Sequence, residues 1–418
     1  MFKKWYYVAI FVPLIIICGI IIWYKQSVNR ADGEIKVGIL HSLSGPMAAA
    51  EKYIVDTTLM AIDEINQEGG LLGKKIVPII ADGKSDSDVF AKESERLITK
   101  EKVVALFGGG VSSTRKKIKD EVEKYNSLLF YPHRYEGLES SANIVYTGAT
   151  ANQQIVPGLI WCMQNFGKNF FLVGNHLSKE NYITEMATRQ IIKDLIFAYD
   201  GHLVGEESVD LESKDIDSIV KNIYMKQPDV IINILEGEVN SVFFKAMRGQ
   251  WLTEKIPTIS INVTEVELTV FNIDQMVGDY AVQSYFQSLD TEENVSFVER
   301  FKKRYGADRV ISNPMENAYI SVYFWRNAVE RAQTTEINEV RKHLRELTFS
   351  APEGVISVDK KNQHTWKPVL IGKIFPSKQF GIVWNSNSTT RPLPYPPFRT
   401  KEQWQQLLDQ WSTASAGK

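Results

Sequence analysis

Residues 34–40 read EIKVGIL, and residues 41–45 continue as HSLSG. The first segment is a short apolar run typical of a buried strand, and the second has the polar and glycine content of a turn. Residues 48–68 then follow as an amphipathic helix, which Gly69 and Gly70 end. The opening of the body therefore predicts a strand that leads through a polar turn into a helix.

The same alternation continues along the chain. Apolar strands are predicted at residues 74–82, 103–109 and 127–133, and helices at residues 85–99 and 112–125. Strands that alternate with helices favour a parallel, doubly wound sheet with helices on both faces.

The pattern begins again after the polar segment TGATANQQ at residues 147–154. A strand at 170–175, a helix at 180–201 and a buried strand at 230–235 follow. We therefore predict an α/β protein with two lobes, each a doubly wound parallel sheet, with segments after residue 280 crossing between them. The predicted bounds are 35–150 plus about 283–345 for lobe 1, 151–282 plus about 346–396 for lobe 2, and 397–418 for a C-terminal tail that frays at its end.

Composition narrows the class of protein. The chain has 418 residues, 44% of them hydrophobic, which is enough for more than one lobe. A net charge of -2 gives no reason to expect nucleic-acid binding. Only Cys18 and Cys162 are present, and no disulfide is expected between them. The six histidines show no metal-ligand spacing along the chain, so neither a metal site nor a cofactor is expected.

The N-terminal segment Trp5–Tyr24 reads WYYVAIFVPLIIICGIIIWY and carries no charge. Twenty helical residues span about 30 Å, the thickness of the hydrocarbon core of a membrane. We therefore predict an uncleaved, single-pass membrane anchor within residues 1–30; the family resemblance described below implies that the body lies outside the cytoplasm. A cleaved signal peptide is one alternative, and a lipoprotein at Cys18 is another, although Ile17 stands where a small residue is expected.

Polar residues collect at the predicted carboxyl ends of the strands, where open α/β sheets bind ligands. The candidate ligand-binding residues are Ser42, Gly110, Ser112, Ser113, Tyr131, His133, Tyr135, Asn175, His176, Leu177, Lys179 and Glu236. The glycine and hydroxyl residues at 108–114 either receive a carboxylate or amide oxygen at a helix start, or form a plain helix cap. His133 and Arg134 either bind an anion or are solvated. No residues are assigned to catalysis, since no nucleophile motif is present.

Several long segments point to one family. They are IKVGILHSLSG (35–45), AIDEINQEGGLLGKKI (61–76), LLFYPHRYEGLESSANIVYTGATANQQ (128–154), SYFQSLDTEEN (284–294), FVERFKKRYGADRV (297–310), NPMENAYISVYFW (313–325), NQHTWKPVLIGKI (362–374) and VWNSNSTTRPLPYPPF (383–398). Together they resemble the urea and short-chain amide binding proteins of ABC transporters, and the related amide sensor. The resemblance implies a type I periplasmic-binding-protein fold, with three crossing segments and a cleft that closes on its ligand.

The resemblance carries over only in part to the pocket. Ser112 stands at the position of a ligand-binding serine and Tyr131 at that of a pocket tyrosine, but Gly110 replaces an aromatic residue. His133 and Arg134 replace small or uncharged residues. In the second lobe both aromatic positions are lost at 175–181, where Leu177 and Lys179 lie, and the family's Asn-Gly-Asp becomes Glu-Gly-Glu from Glu236 onward. A roomier and more positive pocket indicates a ligand larger than urea or acetamide, with a carboxylate.

The sequence thus predicts an extracytoplasmic receptor that captures a small polar solute of the urea, amide or amino-acid type for an ABC importer and its permease. One alternative is a sensor subunit that signals to a partner histidine kinase. A hydrolase is the third reading, and no motif supports it.

Overall fold

The computed structural model describes residues 33–178, 181–210, 212–214, 216–248 and 255–416. The predicted membrane anchor and Lys179 both lie outside these described residues. Within them, no helix has the length and apolar character needed to cross a membrane.

The first lobe is built on a five-stranded sheet in the order β2-β1-β3-β4-β5, in which every neighbouring pair is parallel. Its strands are β1 (Glu34–His41), β2 (Lys75–Asp82), β3 (Leu106–Gly108), β4 (Leu129–Tyr131) and β5 (Ile144–Tyr146). The helices between them are α1 (Ala48–Gln67), α2 (Ser87–Thr99) and α3 (Ser112–Lys124). This strand and helix alternation confirms the prediction for the first lobe.

The second lobe contains a seven-stranded sheet in the order β15-β14-β10-β9-β8-β6-β7. Its parallel strands are β6 (Asn169–Asn175), β7 (His202–Val209), β8 (Val230–Asn233), β9 (Thr258–Ser260) and β10 (Tyr280–Gln283). Helices α4 (Ile155–Asn165), α5 (Tyr182–Ala198), α6 (Asp217–Lys226), α7 (Val239–Arg248) and α8 (Glu265–Val270) connect or precede them. The predicted parallel sheet is therefore present, but β14 (Leu370–Ile374) and β15 (Phe380–Asn385) extend it by antiparallel pairing.

Later segments return to the first lobe. Helices α9 (Glu292–Tyr305), α10 (Asn313–Ala332) and α11 (Ile337–Leu344) are followed by a small antiparallel sheet of β11 (Thr348–Ala351), β12 (Gly354–Val358) and β13 (Thr365–Trp366). Ile356 and Val358 pack in the same hydrophobic core as Val37 and Ile39 of β1. The first lobe thus extends through β12, beyond the predicted bound at about residue 345, because β11 and β12 share its core.

The C-terminal segment is helical rather than a frayed tail. Helix α12 spans Lys401–Ala416, and Trp404 and Trp411 on it are buried in the core of the second lobe. The indole N–H of Trp404 also donates to the carbonyl of Pro396 at 2.9 Å. The small polar residues near the end suggested fraying, but the two tryptophans upstream anchor the helix by apolar burial.

A buried arginine fixes the cleft edge of the first lobe. Arg115 lies on α3 with no exposed surface, and its Nε donates to Glu139 Oε1 at 3.0 Å. Its Nη2 lies 3.6 Å from Glu136 Oε1, and its Nη1 donates to Ser112 Oγ at 2.9 Å. A buried cation is tolerated only when such partners replace its water shell. Arg115 therefore ties the start of α3 to the loop that follows β4.

Glu265 occupies a junction between the lobes at the start of α8. It is buried, and its Oε1 accepts from the backbone N–H of Gln287, in the segment that runs from β10 to α9. Its Oε2 has no hydrogen-bond partner among the residues that the structure describes. Burial raises the pKa of Glu265 from 4.5 to about 8, so the carboxyl group is largely protonated at neutral pH.

Replacing Arg115 with Met should lower the free energy of unfolding by about 3–5 kcal/mol, because the buried carboxylates of Glu136 and Glu139 both lose a buried cationic partner. Lys117→Met on the same helix is the matched control. Its Nζ lies 3.2 Å from Asp88 Oδ1 and both side chains are exposed, so a loss below about 1 kcal/mol is expected. Urea denaturation of the two variants measures the difference, and equal losses would contradict the role assigned to Arg115.

Glu265→Gln should reduce the dependence of stability on pH. The folded-state pKa of Glu265 is raised, so its contribution is full below about pH 4.5 and is lost as pH rises toward about 8. The wild-type loss across this window is on the order of 4 kcal/mol. Unfolding curves at pH 5 and pH 8 should therefore differ less for Glu265→Gln than for the wild-type chain. An unchanged difference would show that Glu265 does not hold its proton in the folded state.

Candidate functional site

The carboxyl ends of the parallel strands of the two sheets meet across a cleft. In the first lobe β1 ends at His41 and β4 at Tyr131, and in the second lobe β6 ends at Asn175. Arg134 follows β4 and Glu236 follows β8, and Arg134 Nη2 lies 3.0 Å from Glu236 Oε1. This ion pair joins the lobes directly, so the loops after β4 and β8 face each other.

The hydroxyl groups of Ser112 and Tyr135 have partners within the protein. Ser112 Oγ donates to Glu136 Oε2 at 2.6 Å and accepts from Arg115. The hydroxyl of Tyr135 contacts the ring of His364 and donates to the carbonyl of Glu139 at 3.2 Å. Both residues remain predicted ligand contacts, and in the structure their hydroxyl groups also hold the Arg115 cluster and the return segment in place.

Tyr131 lies above the same cluster, with its ring centroid 4.8 Å from the guanidinium carbon of Arg115. Burial raises the pKa of Tyr131 to about 12, so its hydroxyl keeps its proton. Ser113 is half-buried in the first turn of α3.

Gly110 has a φ of +62°, and a Cβ there would lie 2.6 Å from Thr114 Oγ1. The turn thus needs glycine at 110 and leaves no room for the family's aromatic side chain.

The positive charge expected from His133 and Arg134 is not realised. Burial lowers the pKa of His133 to about 4, which makes its imidazole uncharged at neutral pH. The guanidinium of Arg134 is paired with Glu236. The expectation that these two residues make the cleft positive is therefore wrong, because one is neutral and the other is compensated.

Asn175 is the best-placed polar residue of the second lobe. It is buried, and its Oδ1 accepts from the backbone N–H of Glu236 at 2.8 Å. Its Nδ2 is buried and lacks a hydrogen-bond partner within the described ranges. An unpaired buried amide is rare in folded proteins, so this donor is available to a bound molecule.

The neighbouring residues face elsewhere. His176 is exposed, and Leu177 is half-buried. Leu177 borders a cavity of about 290 Å³ whose other lining residues are Met186, Arg189, Gln190, Lys193, Glu206 and Ser208. All of these belong to the second lobe, so this cavity is distinct from the cleft between the lobes.

Two residues that were not proposed as ligand contacts also lie at the cleft edge. His41 ends β1, and Glu51 lies in the first turn of α1. The backbone N–H of Ser42 donates to Glu51 Oε2 at 2.5 Å, and His41 Nδ1 lies 3.4 Å from the same oxygen. The ring of His133 lies 6.1 Å from that of His41. An acidic residue in a first helical turn is ordinarily a dipole partner, so nothing in the sequence distinguished Glu51.

The electrostatics of Glu51 reflect this setting. Burial raises its pKa, but the close imidazole of His41 and the backbone N–H of Ser42 outweigh burial, so the pKa lies below 4.5. The absence of a metal site was expected from histidine spacing along the chain. His41, Glu51 and His133 come from three separate segments, so that spacing did not test their proximity.

Comparisons with curated proteins find partial and full-length relatives. The chain is 39% identical over 123 residues to Limonene hydroxylase from Geobacillus stearothermophilus, a match that spans 29% of this chain and only 22% of that protein. It is 23% identical over 370 residues to Leu/Ile/Val-binding protein homolog 7 from Brucella melitensis, spanning 80% of this chain and 87% of that one. The first match is too short to transfer the activity in that protein's name.

Among solved structures, the chain is similar to a solute binding protein of an ABC transporter from Rhodopseudomonas palustris BisB5, determined with 3,4-dihydroxy benzoic acid. The TM-score is 0.75 at 18% identity, and the match covers 86% of this chain and 99% of the other. This likeness supports the two-lobed fold. The family model described as periplasmic binding protein domain matches residues 35–401. With that match and this architecture, the chain belongs to the periplasmic binding protein family.

Proposed function

We propose that this chain is the membrane-anchored, extracytoplasmic solute receptor of an ABC importer, and that it holds a small polar solute between its lobes. The observation that supports it best is the pairing of the two cleft edges through Arg134 and Glu236. A two-lobed receptor of this kind shifts between open and closed arrangements, and a solute that contacts both edges favours the closed one. A partner permease would then recognise the closed form.

The available hydrogen-bond donors favour an anionic or carbonyl-bearing solute. Asn175 Nδ2 has no partner among the described residues. The cap residue of α3, Val111, offers no side-chain hydrogen bond to the first N–H groups of that helix, which begin at Ser112. Helix N-termini and amide N–H groups both bind carboxylate oxygens well.

The proposed solute is a small carboxylate, larger than urea or acetamide. The relatives fit this choice, since 3,4-dihydroxy benzoic acid and the amino acids Leu, Ile and Val all carry a carboxylate. Because His133 is neutral and Arg134 is paired with Glu236, neutral N–H donors rather than free positive charge would hold the carboxylate of the solute. No separate structural observation favours the alternative sensor function.

Isothermal titration calorimetry of the purified full chain should detect binding of branched-chain amino acids or hydroxybenzoates. It should detect no binding of urea or acetamide. Asn175→Asp should weaken the affinity for the solute that binds at least tenfold. The new carboxylate lacks the amide N–H donor and repels the carboxylate of the solute. Asn165→Asp is the matched control. Asn165 ends α4, where its Nδ2 donates to the Trp161 carbonyl.

Unchanged affinity in Asn175→Asp would remove this residue from the solute site. Micromolar binding of urea, with no response to the carboxylates, would overturn the proposed solute class and restore the specificity that the sequence resemblance suggests.

The proposed anchor has its own test. When the full chain is expressed in a bacterium, it should remain in the membrane pellet after an alkaline carbonate wash, since an apolar span of Trp5–Tyr24 resists extraction. Intact-mass measurement should show that the N-terminal segment is retained. Recovery of a shortened chain in the wash would instead identify a cleaved signal peptide.

A further inference from the structure

His41, Glu51 and His133 form a compact group on the cleft side of the first lobe. His41 and Glu51 are buried, and His133 is half-buried. We propose that these three side chains bind a divalent transition-metal ion, with Zn²⁺ as the best-suited representative. The proposal concerns these residues alone and does not depend on which solute the cleft holds.

The distances are suited to coordination. One ligand atom from each of the three residues lies within 4.8 Å of the others. His41 Nδ1 and Glu51 Oε2 are 3.4 Å apart, which is about the separation of two ligands in a tetrahedral zinc site with bonds of about 2.0–2.1 Å. His133 lies in the loop after β4, and one of its ring nitrogens is already within this 4.8 Å set.

Unpaired buried atoms on these three side chains are an independent indication of a missing partner. His41 Nε2, Glu51 Oε1 and His133 Nε2 are buried without a hydrogen-bond partner in the described part of the chain, and His41 Nδ1 has only its 3.4 Å contact with Glu51 Oε2. Buried polar atoms of folded proteins are nearly always paired, and leaving one unpaired costs about 1–3 kcal/mol. A cation held by one atom from each residue would give each of the three side chains a partner at that atom.

The surrounding backbone keeps this place open. Gly108 has a φ of +124°, and a Cβ there would lie 2.8 Å from His41 Nε2. A Cβ at Gly110 would lie 3.3 Å from Glu51 Oε1. The run of glycines after β3 therefore keeps other side chains away from the imidazole of His41 and the carboxylate of Glu51. The N–H of Ser42 holds the Glu51 carboxylate in orientation, as supporting hydrogen bonds do in metal sites.

The ligand set selects a class of metal. Two imidazoles and one carboxylate suit Zn²⁺ and other first-row transition ions, whereas Mg²⁺ and Ca²⁺ prefer oxygen ligands alone. Three protein ligands leave at least one coordination position for water or for an oxygen of a bound molecule. The competing interpretation is a metal-free cluster in which His41 and Glu51 form an ion pair.

The test uses the full chain after removal of metals with a chelator, and it needs no solute. Competition titration with Zn²⁺ should show one tightly bound ion per chain, and Co²⁺ should give the visible spectrum of a low-coordinate site with nitrogen ligands. Glu51→Gln and His133→Ala should each weaken Zn²⁺ binding about 100-fold. Exposed His176 provides the matched control, and His176→Ala should leave the affinity unchanged.

Circular dichroism establishes that each variant is folded, and Glu51→Gln preserves side-chain shape if His133→Ala proves unstable. Absence of stoichiometric Zn²⁺ binding in the wild-type chain, or retention of full affinity in both variants, would overturn the metal site and favour the ion-paired cluster. Solute titrations of the metal-free chain separate this result from the proposed receptor function, because either site can fail while the other binds.

Discussion

The buried guanidinium of Arg115 is the constraint on which the cleft edge of the first lobe depends. An arginine without exposed surface must have its charge and its N–H groups satisfied by the protein. Glu136 and Glu139 balance its charge, and Glu139 and Ser112 accept hydrogen bonds from its Nε and Nη1. The rings of Tyr131 and Tyr135 lie 4.8 and 4.4 Å from the guanidinium carbon. The loop after β4 therefore has little freedom, and its conformation fixes where His133 and Arg134 lie.

This constraint divides the polar residues of the cleft into two groups. Ser112 and Tyr135 support the Arg115 cluster, although their positions at strand and loop ends favoured ligand contacts. Asn175, His41 and His133 retain buried polar atoms without hydrogen-bond partners among the described residues, so they are the groups that can act on a bound species. The proposed solute and metal sites both use such atoms, and they lie on opposite lobes of the same cleft.

The sequence predicted the architecture better than the site. Apolar strands alternating with amphipathic helices gave the parallel sheets of both lobes, because periodicity directly reports burial. The antiparallel strands β14 and β15 and the buried helix α12 were missed, because their placement depends on packing partners distant in the chain. The helical spacing did contain a signal that Arg115 is buried, since Arg115 shares a helical face with the buried residues Ile118 and Val122.

By itself, the sequence determined the two-lobed α/β fold, the membership of the family and the edge of the sheets at which polar residues gather. Only the tertiary structure decided which of those residues meet. His41, Glu51 and His133 belong to a strand end, a helix start and a loop, and no spacing along the chain relates them. Parallel strands bring their carboxyl ends to one edge regardless of sequence separation, while burial and pairing determine which side chains there stay charged, neutral or without a partner.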